Sequence, residues 1–471
     1  MNYEKLDQIV ESHREELLGK LKNWIAIPSV QAPKSAENAP FGPEVRKALD
    51  LFLADARGMG FDVKEFDGYC AHAQMGAGDK TMGILAHLDV VPAGDGWVHG
   101  PFGGEIQDGK FYGRGVSDDK GPALGALYAM RAVKEAGIPL KHRVRMIAGC
   151  DEETGMSDMR YYQQHSDLPD YGFSPDAEYP LINIEKGGLN LGLSADADGV
   201  SGARIPLYRM EAGVRCNVVP GAATAEVGTG SMPLSELKEK LAVVCKAHPG
   251  FELTAEATSE GKAKITATGV SAHASLPHLG VNAAGMLLVA LHELGAGGAA
   301  GRVLEGLSTV IGLTHDGAGL GIAISDAESG ALTSNLGILR YDGLRLSVEL
   351  DNRYPISANE QTMQQNASAA MAPWGVQVTL LRSHTPLHVP ADSEVVRGLL
   401  EVYHEATGLP ATPIAIGGGT YSRMMPQTVA FGIGFPGDQE TCHMPDEYVD
   451  IDKYMLSVKI MARAIARLAG E

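Results

Sequence analysis

Three scarcities narrow the classes to which this chain can belong. Cysteine is the first: Cys70, Cys150, Cys216, Cys245 and Cys442 are the only five in 471 residues. Their number is odd, they are scattered and no C-x-x-C pair occurs, which argues against a disulfide framework or a structural zinc knuckle. Long apolar runs are the second, since none reaches the roughly 20 residues that a membrane helix needs. The N-terminal stretch MNYEKLDQIVESHREELLGK is charged and amphipathic, unlike a secretory signal, so a cytoplasmic protein with no membrane association is expected. Positive charge is the third. Lys and Arg total 39 against 58 Asp and Glu, a net charge of −19, so the electrostatic footprint of a nucleic-acid binder is missing. Neither G-x-G-x-x-G nor G-x-x-x-x-G-K-[ST] stands between a strand and a helix, which removes a nucleotide-binding reading of the glycine-rich stretches.

What is present is ordinary in bulk, with 44% hydrophobic and 21% charged residues, and the length allows two domains with a large core. Apolar residues at helical spacing predict a helix over residues 3–25, stopped by Pro28, and a second in PEVRKALDLFLADARGMGF, ended by glycines. Strands are expected in FDVKEF, TMGILAHLDVV and HRVRMIAGC, alternating with a helix that starts near Pro122, which is the pattern of an α/β layer. After residue 186 the pattern changes to strand pairs and helices, as in RCNVVPGAATAEV, KITATGVSAHAS and LGILRYDGLRLSVEL. A weak echo between the stretches starting at Asn217 and Asn335 fits two similar α+β halves. Helices near 392–407 and 451–469 return to the first character. The expected organisation is therefore a discontinuous domain, 1–186 and 384–471, with residues 187–383 inserted. Residues 293–303 read as a flexible Gly/Ala connection, and the pattern assigns no role to 319–334.

The chemistry gathers at strand ends. In MGILAHLDVVPAG, His87 and Asp89 interrupt an apolar run, and as strand residues two apart they would share a face. Such a pair is either a satisfied core pair or the start of a metal site. GRGVSDDKG places Asp118 and Asp119 before a helix, where capping alone would also explain them. GCDEETG stacks carboxylates at a strand end, which need either solvent or a cation. FSPDAEYP gives Asp176 in a turn, and ETCHMPDEYVD gives His443. If His87, Asp118, Glu153, Asp176 and His443 converge, with Asp118 bridging, they make a mixed His and carboxylate set suited to two divalent ions such as Zn²⁺ or Mn²⁺. Asp89 would then accept the N–H of His87 and fix its tautomer. Glu152, beside Glu153, would be free to act as general base and acid on metal-activated water.

Taken in order, HLDVVPAGDGW, GRGVSDDKGP, DEETG, FSPDAEYP and HMPDEYVDI resemble the M20 metallopeptidases, and most nearly the PepV-like dipeptidases of the Xaa-His dipeptidase or carnosinase kind. The likeness covers nearly the whole chain. It implies a mixed-sheet catalytic domain of the phosphorylase/hydrolase-like α/β class carrying an inserted, doubled, ferredoxin-like α+β lid. It also implies metal ligands His87, Asp118 (bridging), Glu153, Asp176 and His443 for two divalent ions, Zn²⁺ first with Mn²⁺ or Co²⁺ as alternatives. Glu152 becomes the general base, Asp89 the partner of His87, and Asp118–Asp119 a cis peptide bond. His273 in GVSAHASLPHLG matches the lid histidine that donates to the oxyanion, Asn217 in CNVVPG a polarising amide, and Arg353 in LDNRYP the holder of the substrate carboxylate. Gly418, Gly419 and Thr420 in IGGGTYSR match a loop that meets the substrate's C-terminal end.

The activity so implied is hydrolysis of dipeptides with free amino and carboxyl termini, by a monomer. Two other readings share the scaffold. One is an amidohydrolase acting on N-acyl amino acids, which keeps the metals and meets the amine differently. The other is a non-catalytic ligand-binding protein, whose signature would be a lost ligand or a lost Glu152. For Arg353 a strand-end salt bridge, and for His273 a surface position, are the plain alternatives.

Overall fold

The computed structural model describes residues 3–471. The chain divides into two compact units. One runs to Ile184 and takes in Leu387–Ile414 and Gly419–Glu471, and the other holds Glu185–Pro386 and Ala415–Gly418. The fold class is mixed α/β, as the sequence pattern predicts.

The first unit is built on a mixed sheet. From one edge its strands are Asp62–Phe66, Cys70–Met75, Arg143–Gly149, Thr81–His87, Tyr171–Ser174, Thr428–Ala430, Ile182–Glu185 and Leu387–His388. Thr81–His87 runs parallel to both of its neighbours, and every one of its residues is buried. A strand covered on both faces has no polar side to show, which is why TMGILAH is an unbroken run rather than an alternation. Helix Lys120–Ala136 packs on helix Ile451–Ala469 within the same core. Two expectations need correction. The strand ends at His87, so Asp89 lies two residues beyond it, although its carboxylate still comes within 3.4 Å of His87 Nδ1. The N-terminal helix breaks at His13 into Glu4–Ser12 and Arg14–Ile25.

The second unit is one antiparallel sheet, in the order Glu252–Ser259, Lys262–Thr268, Ala222–Gly228, Leu207–Ala212, Thr333–Tyr341, Arg345–Tyr354, Gly187–Asp196, Gln377–His384. Its two halves answer each other. A strand pair, a helix (Leu234–Ala247) and an edge strand on one side match a strand pair, a helix (Glu360–Met371) and an edge strand on the other. They meet where Leu207–Ala212 pairs with Thr333–Tyr341. Residues 293–303 are more than a connection, because Gly301 opens the helix Gly301–Val310, whose Val303, Leu304, Leu307 and Val310 enter the core. Residues 319–334 contain the small hairpin Ser325–Asp326 and Gly330–Ala331.

One buried histidine in the first unit has a consequence for stability. His72 Nδ1 is 2.8 Å from the Tyr162 hydroxyl, and its ring meets Phe66 edge-on. Burial, then the positive charges of Arg145 and Lys64, push its pKa down to about 4. The unfolded chain takes up this proton near pH 6.5 and the folded chain only near 4, so stability is lost as pH falls through that window. In His72→Phe the urea midpoint is expected to fall less between pH 7 and pH 4.5 than in the parent chain.

Candidate metal centre

Parallel strands bring their carboxyl ends to one side, the usual place for a ligand in such sheets. His87 is the last residue of Thr81–His87, Glu152 and Glu153 follow Arg143–Gly149, and Asp176 follows Tyr171–Ser174. Asp118 precedes helix Lys120–Ala136, and the Asp118–Asp119 bond is cis, as the family resemblance implies. His443 comes from a loop, with φ of 63°. That loop leads into strand Tyr448–Asp450, which pairs with Lys110–Tyr112.

The five side chains meet. His87 Nε2 lies 2.9 Å from Asp118 Oδ1 and 3.7 Å from Asp176 Oδ2, while His443 Nε2 lies 2.9 Å from Asp118 Oδ2 and 3.2 Å from Glu153 Oε1. Asp118 thus turns one oxygen to each imidazole. Donors bound at 2.0–2.1 Å to one tetrahedral ion sit roughly 3.3 Å apart, and the four separations lie on both sides of that value. Ligand atoms of His87, Asp118 and Glu153 fall within 4.8 Å of one another, as do those of His87, Asp119 and Asp176. Asp119 was not among the expected ligands. Its Oδ2 accepts the His87 backbone N–H at 2.8 Å, and its Oδ1 is buried with no hydrogen-bond partner among the described residues.

The electrostatics ask for positive charge. Burial, then repulsion from Asp118, raises the Asp176 pKa to about 7, and the same two causes raise Glu153. Burial also raises Glu152 well above the usual carboxylate range, and Asp176, Glu153 and Asp118 add to it. Asp118 goes the other way, because hydrogen bonds from His443 and His87 outweigh its burial. His443 rises to about 11 through Asp118 and Glu153. So many carboxylates around two imidazoles remain ionised together only with cations among them, and the N/O donor set fits two divalent ions.

Asp89 meets His87 through two of its oxygens. The nearest acceptor to His87 Nδ1 is the Asp89 backbone carbonyl at 2.9 Å, with the Asp89 carboxylate at 3.4 Å. The tautomer is fixed by a main-chain oxygen. The buried Asp89 carboxylate also accepts the amides of Glu152 and Glu153, each at 3.3 Å.

The remaining candidates lie on other elements. His273 is exposed, and its Nδ1 accepts from the Ser275 amide at 3.2 Å, which leaves the proton on Nε2. Asn217 is its backbone neighbour, since the Asn217 carbonyl accepts from Ala274 at 2.9 Å. Arg353 forms the strand-end salt bridge, its Nε and Nη2 on the two oxygens of Asp351 at 2.6 and 2.8 Å. Gly418 is half-buried and Gly419 exposed, and Thr420 caps the short helix Tyr421–Met424 through the Ser422 amide.

Residues 83–467 match the model of peptidase family M20/M25/M40. The chain belongs to this family. A Beta-Ala-Xaa dipeptidase from Lactobacillus delbrueckii subsp. lactis is 35% identical over 469 residues, 98% of either chain. Human carnosine dipeptidase 1 is similar in fold, with a TM-score of 0.61 and 15% identity over 99% of this chain and 98% of that one. So is the aminoacylhistidine dipeptidase of Vibrio alginolyticus, at 0.57 and 16% over 97% of each. Membership in the M20/M25/M40 peptidases sets aside the non-catalytic reading.

This M20/M25/M40 peptidase has organising residues that sequence reasoning missed. Glu447 is wholly buried, pairs with Arg114 at 2.6 Å, and accepts the amides of Gly115, Ser117 and Asp118. It fixes the loop that presents Asp118. In the sequence it reads as one more acidic residue in a polar turn, and its only local signal is its place four residues after His443. Gln31 ties Asp89 to Asp151, with its Nε2 at 3.3 and 2.6 Å from the two carboxylates.

Proposed function

We propose that this M20/M25/M40 peptidase is a dipeptidase requiring two divalent metal ions, and that it hydrolyses dipeptides with free amino and carboxyl termini. The observation that carries the reading is Asp118, one oxygen toward each imidazole, with Asp176 beside the first and Glu153 beside the second. Similarity to a Beta-Ala-Xaa dipeptidase along the full length supports the substrate class. His87, Asp118 and Asp176 would hold one ion and His443, Asp118 and Glu153 the other, with Zn²⁺ the first choice and Mn²⁺ or Co²⁺ as alternatives. When bound, such ions supply Lewis-acid charge and bring the pKa of water toward ~7.

The chain's own groups do the rest. Glu152 takes the proton of the attacking water and delivers it to the leaving amine. Asp89 holds the amides of Glu152 and its neighbour. His273 carries its proton on Nε2 and is assigned to the oxyanion, with Asn217 beside it. Arg353, preset by Asp351, is assigned to the substrate carboxylate, and Gly418, Gly419 and Thr420 to the chain around it. Residues 1–186 and 384–471 form the catalytic domain in this reading and 187–383 the lid, in a cytoplasmic monomer.

The test compares initial rates on β-alanyl-histidine, Leu-Leu and their N-acetyl forms, on chelator-stripped protein with and without added Zn²⁺ or Mn²⁺. Metal-restored cleavage of the free dipeptides alone is expected. Faster cleavage of the acetylated forms would move the assignment to an N-acyl amino acid hydrolase. Within the same assay His273→Ala is expected to lower kcat about 10²-fold with KM little changed, as loss of one oxyanion donor does.

A further inference from the structure

We propose that Tyr421 and Asp158 form a positioning pair that sets the direction of Glu152, an inference that rests on the reading of Glu152 as general base. Four consecutive amides, from Cys150 to Glu153, are held by two buried carboxylates. Asp158 Oδ2 accepts the amides of Cys150 and Asp151 at 2.5 and 2.8 Å, and Asp89 accepts those of Glu152 and Glu153, each at 3.3 Å. Asp89 is itself anchored at the metal centre through its contact with His87. Asp158 has a different anchor. Its Oδ2 also accepts the Tyr421 hydroxyl, while its Oδ1 is turned to the Met159 amide at 2.6 Å.

The fold is shaped to admit this pair. A Cβ at Gly149 would lie 2.1 Å from the Tyr421 hydroxyl oxygen and 2.4 Å from Asp158 Oδ2, so only glycine at the strand end leaves room for them. Tyr421 is fully buried, and its ring meets the His87 imidazole edge-on with centroids 6.2 Å apart. It is the first residue of the helix capped by Thr420, directly after the Gly418–Thr420 stretch assigned to substrate. One hydroxyl therefore connects the end of that loop to the backbone from which Glu152 projects. Displacing a reacting group by about 1 Å can cost 10²-fold in rate, so a bond that fixes this backbone acts on kcat without touching substrate.

The experiment uses the full chain loaded with Zn²⁺ and compares Tyr421→Phe, Asp158→Asn and the double variant. Phe removes one oxygen, and Asn keeps an acceptor of the same shape, so folding is checked by an unchanged far-UV spectrum. We expect Tyr421→Phe to lower kcat about tenfold, with KM within about twofold and bound zinc unchanged. The double variant should be no slower than the slower single one, as residues acting as a unit require. Amide exchange, followed by mass spectrometry, should quicken at residues 150–153 in Tyr421→Phe and stay as it was in the strand Thr81–His87. A raised KM at unchanged kcat, lost zinc, or unchanged exchange at 150–153 would overturn the proposal. If the parent enzyme cleaves no dipeptide at all, the dipeptidase reading fails on its own, and exchange at 150–153 still decides whether the pair holds this backbone.

Discussion

Glu152→Gln is expected to lower kcat by about 10³-fold or more while two metal ions stay bound. Gln fills the same space and cannot take up a proton from water. Glu152 belongs to neither group of converging ligand atoms, whereas its neighbour Glu153 does, so the substitution should leave the donor set intact. Glu152→Asp keeps the carboxylate but draws it back by one carbon, and a loss nearer 10² is expected. Steady-state kinetics on the metal-loaded protein, paired with metal content by atomic emission, separates base from ligand. A Gln variant that sheds an ion would make Glu152 a ligand. Removing this carboxylate also relieves repulsion from Asp176, Glu153 and Asp118. The metal-free variant should therefore melt no lower than the metal-free parent.

Much of this site could be read from the sequence because it breaks local rules. A histidine ending a buried strand, or three carboxylates on a strand end, conflicts with the apolar pattern around it, and such conflicts mark functional positions. Helices were legible for the opposite reason: Ile451–Ala469 follows its apolar periodicity from end to end. The failures have a common cause. Asp89 looks like a strand residue by alternation, but the regular strand ends at His87 and Asp89 lies two residues beyond it. Glu447 and Asp158 look like surface acids, and only tertiary structure reveals that each accepts a row of backbone amides in the interior. Helix Gly301–Val310 hides behind an Ala/Gly-rich lead-in whose composition suggests a loop, yet its apolar face is buried. Arg353 carries the right chemistry for a carboxylate, and its nearest carboxylate proves to be Asp351 on its own strand. Sequence marks which residues are chemically unusual at their positions; which of them face each other is decided by strand ends and loops that lack periodicity.

Asp118→Asn should test the two-ion arrangement most severely, because one carboxylate faces both imidazoles. An ion present at about 100 times its dissociation constant stabilises the native state by about 2.7 kcal/mol. For a unit of this size that corresponds to a rise in Tm of roughly 5 °C. Chelator-stripped parent protein should show this rise on adding Zn²⁺. Asn keeps the shape of Asp118 but removes a full negative charge from both centres at once, and its amide nitrogen donates where an oxygen accepted. Most of the zinc-induced rise should vanish, together with at least about 10³-fold of kcat. The effect on the metal-free protein is smaller, since two opposing contributions change together. The hydrogen bonds from His87 and His443 weaken, while repulsion on Asp176 and Glu153 falls. Differential scanning fluorimetry with and without zinc separates these contributions, because only the difference between the two curves reports the ions. A full zinc shift in Asp118→Asn would mean that the ions are held without a bridge, and the pairing of His87 with His443 through Asp118 would then belong to the metal-free protein alone.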